Sequence, residues 1–488
     1  MAEVLARTVL WYIVFTGFAV NYMIRINANI AIVSMIVPAV CRRNRNLTCA
    51  DVLNATAPGV TRPARIGSFY WNEYEQSLVL GSFFWLHWCT QLPGGILARK
   101  YGGKLVFGLS NLGMGLMSLL IPWVSHRDYK SLIVLRVLQG ISGGFAWPAM
   151  HHLTAHWIPP NERGKFVSAY LGSSIGAALT YPICGVINDI LGWEYVYYIT
   201  GAIVILWFII WMCIVYDTPA QHPRISSQER HYIETCLGQS VTKKKFPVPW
   251  RKILTSVPVH MNVIQQIGGV WSLFTLLTQA PTYFRFIHGW NNKMTGVLSG
   301  LPHLLRFLFS LGFGIFADRL LKRKTLSQTN VRKLASAFCT LVQGIFVLGL
   351  AFSGYNSAAA IFNLAMATMV HGAVTAGPLA SLVELSPNFA GVLQGISGML
   401  SSIPSFISPV LVGIYTNNNQ TPEQWTKVFL ITAALLFIPG VLNLFFGDSE
   451  LQPWNDPSEY NLVKSNNKNK KPKTKSKLKP NSINDDSS

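Results

Sequence analysis

Apolar runs long enough to cross a bilayer recur twelve times along this chain, and that repetition excludes most architectures at once. A hydrocarbon core about 30 Å thick takes roughly 20 predominantly apolar residues as one helix. On that ruler the first six spans lie near Val9 to Val37, Ser77 to Ala98, Leu105 to Val124, Leu132 to Trp157, Phe166 to Ile187 and Val196 to Val215. Six more lie near Val259 to Phe284, Thr295 to Ala317, Leu334 to Phe352, Ala358 to Leu382, Val392 to Ile414 and Val428 to Phe446. The first is too long for the apolar core of a cleavable leader and no small-residue cleavage site follows it, so it reads as a membrane helix. The expected fold class is an all-α membrane protein of twelve transmembrane helices in two six-helix repeats.

Charge agrees. Only 12% of the 488 residues are charged and 50% are hydrophobic, whereas a soluble domain carries about 25% charge. The net charge of +20 is not a nucleic-acid footprint, because eight lysines lie between Lys464 and Lys479 with only Asp485 and Asp486 near them. Such a basic tail suits an anionic lipid leaflet. Seven cysteines are too few for a disulfide framework; Cys41 and Cys49 either pair, if their loop meets an oxidising compartment, or stay as thiols.

The polar stretch from Asp217 to Lys252 separates the two halves. Four regions result: residues 1–216, a linker 217–258, residues 259–447, and a disordered basic tail 448–488. Ser226 and Glu229 have capping-box spacing and predict a short linker helix. Basic residues gather in the loops Arg99 to Lys104, Arg163 to Lys165, Arg224 to Lys252 and Arg319 to Lys333 and in the tail, which places both termini in the cytoplasm. Three glycosylation sequons, at Asn46, Asn54 and Asn419, then fall on the opposite side.

The halves echo each other: Gly94-Gly95-Ile96-Leu97-Ala98-Arg99 closes the second span and Gly312-Phe313-Gly314-Ile315-Phe316-Ala317-Asp318-Arg319 closes the eighth. Repeats of this kind let a transporter hold its substrate at the midplane between two rocking units. Several runs, among them Asn21-Tyr22-Met23-Ile24-Arg25-Ile26-Asn27, Gly81-Ser82-Phe83-Phe84-Trp85, Thr90-Gln91-Leu92-Pro93-Gly94-Gly95, Arg136-Val137-Leu138-Gln139-Gly140 and Leu385-Ser386-Pro387-Asn388-Phe389-Ala390-Gly391, resemble the anion:cation symporter branch of the major facilitator superfamily. That branch, solute carrier family 17, holds sialin, the vesicular glutamate carriers and the sodium-phosphate cotransporters; the general look is nearest to the inorganic phosphate cotransporters of insects. The resemblance implies alternating-access transport of a small anion, phosphate or a carboxylate, by a monomer in the plasma membrane or an endolysosomal or vesicular membrane. A transporter-like sensor that binds without moving its ligand is the rival of a different class. No catalytic constellation points to an enzyme, and no nucleic-acid partner is expected.

Ionised groups within spans are costly and usually face a cavity or a partner. Arg25 in the first span and Arg136 in the fourth offer always-charged forks that match carboxylate or phosphate oxygens, and the resemblance assigns both to the anion pathway. Arg306 in the eighth span is a third cation, outside the family pattern, which either widens the anion site or meets a carbonyl. Glu384, near the cytoplasmic end of the tenth, is read as a gating or structural partner for a cytoplasmic arginine, with coupling as the alternative. His87 could titrate near neutrality or simply pack. His152 and His156 have zinc spacing but no third ligand, so no metal is expected. Gly140 with Gly144, and Gly172 with Gly176, have the spacing that lets helices approach closely. The resemblance also implies two departures. Arg99 stands where the motif usually has an acid, which puts a latch on that residue in doubt. Gly143 stands where proton-coupled relatives have a glutamate, with Leu80 and Gly269 replacing a histidine and an arginine of the vesicular glutamate carriers. No cofactor is expected; the coupling cation, sodium or proton, is read as sodium or replaced by the membrane potential, with a proton route through His87 as the weaker option.

The topology gives a first prediction. Expressed in a eukaryotic host, the protein should carry glycan on Asn46 or Asn54, seen as an electrophoretic shift on endoglycosidase treatment; a correctly inserted protein with no shift would reverse the orientation.

Overall fold

The structure, a computed structural model, describes residues 5–36, 68–71, 73–238, 247–288, 292–416 and 421–456. The sequons at Asn46, Asn54 and Asn419, the Cys41 and Cys49 pair and the lysine-rich tail lie outside the described residues.

Among the described residues twelve spans are present, and several are broken. In the first half they are α1 (Ala6–Met35), α2 (Glu73–Trp85 then His87–Tyr101), α3 (Gly103–Ser125), α4 (Tyr129–Gly144 then Ala146–Trp157), α5 (Arg163–Val167, a tighter turn Ser168–Leu171, then Gly172–Ile190) and α6 (Trp193–Ile214). In the second they are α7 (Val257–His288), α8 (Asn292–Lys322), α9 (Gln328–Ala337, a wide turn Phe338–Val342, then Gln343–Ala351), α10 (Ser357–Val370, a tighter turn His371–Thr375, then Pro378–Leu385), α11 (Ala390–Ser401 then Pro404–Thr416) and α12 (Pro422–Phe446). Among the described residues eight stretches meet the length and hydropathy of a membrane helix unaided. The other four, α2, α7, α8 and α11, carry buried polar groups such as Gln91, Gln265 and Arg306, or an interruption at residues 402–403.

Close backbone approach sets the packing within the first half. A Cβ on Gly140 would collide with the Phe83 carbonyl and one on Gly144 with Thr90, so α4 lies directly on α2. Gly172 and Gly176 meet the carbonyls of Phe15 and Ala19 in the same way, which seats α5 on α1. Such contacts gain dispersion where the lipid offers no hydrophobic drive.

The halves meet at the end that carries the linker, which we call the linker end, through two crossings related by the repeat. α2 crosses α11 where a Cβ on Gly95 would strike the Gly391 carbonyl, and α8 crosses α5 where one on Gly314 would meet the Gly164 carbonyl at 2.7 Å. At the second crossing Asp318 accepts the N–H groups of Gly164 at 3.1 Å and Lys165 at 2.7 Å, an acid set on the positive end of α5. At the first crossing the equivalent position is Arg99, whose guanidinium lies 4.5 Å from the centre of the Phe389 ring, just before α11. The missing acid is thus replaced by a cation on an aromatic face.

The linker helix runs Ser227–Leu237, and Ser226 caps it by accepting the Glu229 N–H at 3.2 Å. Only half of the capping box forms, because the Glu229 carboxylate turns instead to α1. It accepts the N–H groups of Ala6 at 2.9 Å and Arg7 at 3.1 Å, and the Arg7 Nε at 3.0 Å. Arg7 also pairs with Glu162, which Lys322 of α8 approaches at 3.4 Å, so linker, first half and second half share one surface network.

The tail departs from expectation at its start. Residues 448–456, assigned above to a disordered segment, form a docked strap. The Gln452 N–H bonds the Leu385 carbonyl at 2.9 Å, and the Asn455 side chain accepts the Ser386 hydroxyl at 2.7 Å and the Asn388 N–H at 3.1 Å. Trp454 is buried against Phe389. The turn between α10 and α11 leaves backbone groups that need partners, and the strap supplies them. Truncation after Tyr460 should therefore leave thermal stability and uptake unchanged, whereas truncation after Phe446 should lower the melting temperature in detergent, since loss of a buried Trp costs about 3 kcal/mol or more. Equal melting temperatures for the two truncates would assign the strap no structural role.

Candidate functional site

Tyr22 and Arg25 stand three residues apart on α1 and therefore share a face, with the guanidinium 4.5 Å from the Tyr22 ring centre. From α2, Phe83 and Phe84 approach the same guanidinium at 5.1 and 5.8 Å. The helix break at Leu86 separates these aromatics from His87, whose Nε2 lies 3.4 Å from Arg25 Nη2. His87 Nδ1 meets the Gly140 carbonyl at 3.1 Å. A carbonyl only accepts, so Nδ1 carries the hydrogen and Nε2 offers its lone pair to Arg25. The histidine is tied from both sides.

Arg136 reaches the same cluster from α4. Its Nη1 donates to Gln139 Oε1 at 3.0 Å, one turn on, and its Nη2 to the Arg25 carbonyl at 3.3 Å. Gln139 is held in turn by the Met114 carbonyl of α3 at 3.1 Å. Arg136 also lies 5.2 Å from the Phe83 ring centre, so one aromatic ring serves two cations. From the second half, Arg306 on α8 crosses to α5, with Nη1 3.4 Å from Ser174 Oγ.

Burial decides how these residues are read. Arg25, Arg136 and Arg306 are 8%, 1% and 7% exposed, and no carboxylate pairs with any of them among the described residues. Each also keeps a buried Nε without a partner. Carbonyls, an imidazole, an amide and ring faces soften the charge but do not cancel it. Buried cations without counter-ions leave positive charge of the kind an anion would neutralise.

Glu384 belongs elsewhere. It pairs with Arg332 of α9 through two contacts, at 2.5 and 2.9 Å, both side chains fully buried near the linker end, and Arg332 further donates to the Ala376 carbonyl at 2.8 Å. This fully satisfied pair ties α9 to α10 and is not part of the cation cluster. His151 bonds the Trp147 carbonyl and His156 the His152 carbonyl, each within its own helix. Among the described residues no group of metal-ligand side chains converges. Sequence reasoning passed over Tyr22, Gln139 and Arg332. Tyr22 and Gln139 lie three residues from Arg25 and Arg136 on the same helix faces, a spacing that would have found them; Arg332 carried no such signal.

Comparison with known proteins bears on the fold and the family. The Major Facilitator Superfamily profile matches residues 14–409. Human sialin is 34% identical over 457 residues, 92% of this chain and 90% of that protein. Vesicular glutamate transporter 1 of Bos taurus is 33% identical over 449 residues, covering 91% and 77% of the two chains. Among solved structures, the proton:xylose symporter XylE superposes with a TM-score of 0.65 over 93% of this chain and 98% of its own, and FucP in its outward conformation with 0.63 over 90% and 99%; both are 13% identical, which speaks to the fold. These relatives are transporters and not enzymes. The chain is a multi-pass membrane transporter of the Major Facilitator Superfamily and belongs to its anion:cation symporter branch.

Proposed function

We propose that the protein moves a small organic or inorganic anion across its membrane by alternating access, with Arg25 and Arg136 holding the anion from the first half and Arg306 meeting it from the second. The observation that carries this reading is that the buried guanidiniums of Arg25 and Arg136, in contact within the first half, and of Arg306, which reaches Ser174 of the first half from α8, pair with no carboxylate among the described residues. The crossings at Gly95 with Gly391 and Gly164 with Gly314 seal the linker end, so rocking would open that end and close the other. The basic loops put the linker end, and both termini, in the cytoplasm. Sialin and the vesicular glutamate transporters point to an acidic organic substrate and to a lysosomal or vesicular membrane. The lysine-rich tail beyond residue 460 would lie along the anionic leaflet.

Replacement of Arg25 tests the assignment. Arg25→Lys retains charge and loses the planar fork. Losing one charge-assisted hydrogen bond costs about 1.5–3 kcal/mol, so uptake of labelled anion into proteoliposomes should fall about tenfold or more at equal reconstitution, and further in Arg25→Ala. Wild-type uptake in both variants would make Arg25 a packing residue.

The drive is assigned to sodium or to the membrane potential. Gly143 leaves no acid beside Arg136; a Cβ there would already touch Met114 and Phe83. His87 has both ring nitrogens engaged, so adding a proton would mean expelling Arg25 from Nε2. An anion whose charge does not change with pH should therefore fail to accumulate under a pH gradient alone, with sodium absent and voltage clamped at zero. Strong accumulation there, abolished in His87→Gln, would instead give the proton route to His87.

A further inference from the structure

The strap and the first crossing share one side chain. Phe389 closes the short turn Pro387–Phe389 that leads into α11, and it is fully buried. Two residues on lies Gly391, whose carbonyl Gly95 of α2 approaches too closely for a Cβ. From the first half, Arg99 at the exit of α2 holds its guanidinium 4.5 Å from the Phe389 ring centre. From the tail, the Trp454 ring stands 6.2 Å from the same centre, inclined at 42° and 6% exposed. Asn455 pins the turn: its Oδ1 accepts the Ser386 hydroxyl at 2.7 Å and the Asn388 N–H at 3.1 Å, and its backbone carbonyl accepts the Asn388 amide at 3.1 Å. The root of the strap is anchored on α9 and α10, where the Ser449 carbonyl accepts the Gln328 amide at 2.9 Å and the Ser449 hydroxyl meets that of Ser381 at 2.8 Å. The strap thus rides on the second half, yet its tryptophan packs on the ring that the first half touches.

Access from the linker end requires α2 to part from α11, because their backbones meet at Gly95 and Gly391 and leave no passage there. Parting carries Arg99 away from Phe389. A ring attracts a cation over its face and not at its edge, so the contact depends on how the ring is held. Trp454 packed on that ring, and Asn455 on the turn that carries it, leave it fewer alternative orientations. Contacts that favour one orientation reinforce each other, and the reinforcement is reciprocal. Resting on the alternating-access reading above, we propose that residues 448–456 form a latch that weights the protein toward the state closed at the linker end. The docked strap strengthens the crossing of α2 on α11 through Phe389, and opening of that end weakens the docking of Trp454 in return. One cation–ring contact shifts a two-state balance by about fivefold. The gate is then biased by a segment outside the twelve spans.

Thiol labelling of the full-length protein tests this. Ala155 of α4 is fully buried against Val383 of α10 and Ala390 of α11, between the halves. Ala155→Cys therefore reports opening of the linker end to a water-soluble maleimide, read by mass spectrometry of the peptide that holds position 155, because Cys213 and Cys236 are also exposed. Adding Trp454→Ala should raise the labelling rate at position 155 about fivefold, and Arg99→Gln should do the same. The two together should raise it no further, since both act through Phe389. Phe274 of α7 faces Phe84 of α2 across the halves at 6.5 Å, so Phe274→Cys reports the other side of the site and should label more slowly when Trp454→Ala is added. Faster labelling at both positions would make the strap a brace that holds the fold and not a latch. An unchanged rate at position 155 in Trp454→Ala, or additive effects of Trp454→Ala and Arg99→Gln, would likewise overturn the latch while leaving wild-type uptake, and with it the transport reading, intact. Absence of uptake for every anion, with the labelling shifts as expected, would instead overturn the transport reading and keep the latch.

Discussion

Placing positive charge inside an apolar bundle without a counter-ion is the constraint around which this molecule is arranged. Arg25 and Arg136 share the Phe83 ring, and Arg136 spends one donor on the Arg25 carbonyl, so the pair is held by quadrupoles and backbone dipoles that leave net charge in place. That requires α1, α2 and α4 to lie close enough for the rings and carbonyls to reach. Gly140 and Gly144 allow it between α4 and α2, while Gly172 and Gly176 seat α5 against α1. The glycine contacts and the cation cluster are therefore one feature: a side chain at Gly140 would separate α4 from α2 and with it Arg136 from Phe83.

A buried arginine is not a ligand by virtue of burial alone. Arg332 is as buried as Arg136, yet Glu384 and the Ala376 carbonyl satisfy it, and it fastens α9 to α10 at the linker end. Removing either partner would strand a charge in the interior, which is strongly destabilising. Arg25, Arg136 and Arg306 differ in having donors left over. Leftover donors alone do not mark a site, since Arg163 near the linker end also keeps two unpartnered nitrogens; Glu384 lies in the field of Arg163, whereas among the described residues no carboxylate acts on the other three.

The linker end shows how an internal repeat can keep its geometry while changing its chemistry. Both crossings bring glycine onto glycine, but one is closed by an acid on a helix N-terminus and the other by Arg99 on Phe389, with Trp454 of the strap behind the same ring. The contact with helix N–H groups is directional and charge-assisted, whereas the ring contact tolerates sliding. The two crossings can accordingly yield unequally when the halves rock. Glu229 and Glu162 add a tie from the linker helix to α1 and α8 that lies outside the membrane spans.

Much of this was legible in the sequence, for physical reasons that act locally. Bilayer thickness turns hydropathy into a helix count, charge bias separates the loops, and the spacing of Gly140 with Gly144 announces a close approach whatever the partner. The motif around Arg25 and Arg136 carried the family. Other properties depend on residues far apart in the chain and were decided only by tertiary packing: that Arg332 is the partner of Glu384, that Arg99 takes Phe389 in place of a helix terminus, and that residues 448–456 dock. Capping-box spacing at Ser226 and Glu229 shows the boundary between the two. The local signal placed the helix, but the carboxylate went to Ala6 and Arg7 because the first turn of α1, more than two hundred residues away, had free N–H groups at a distance that only the fold could set.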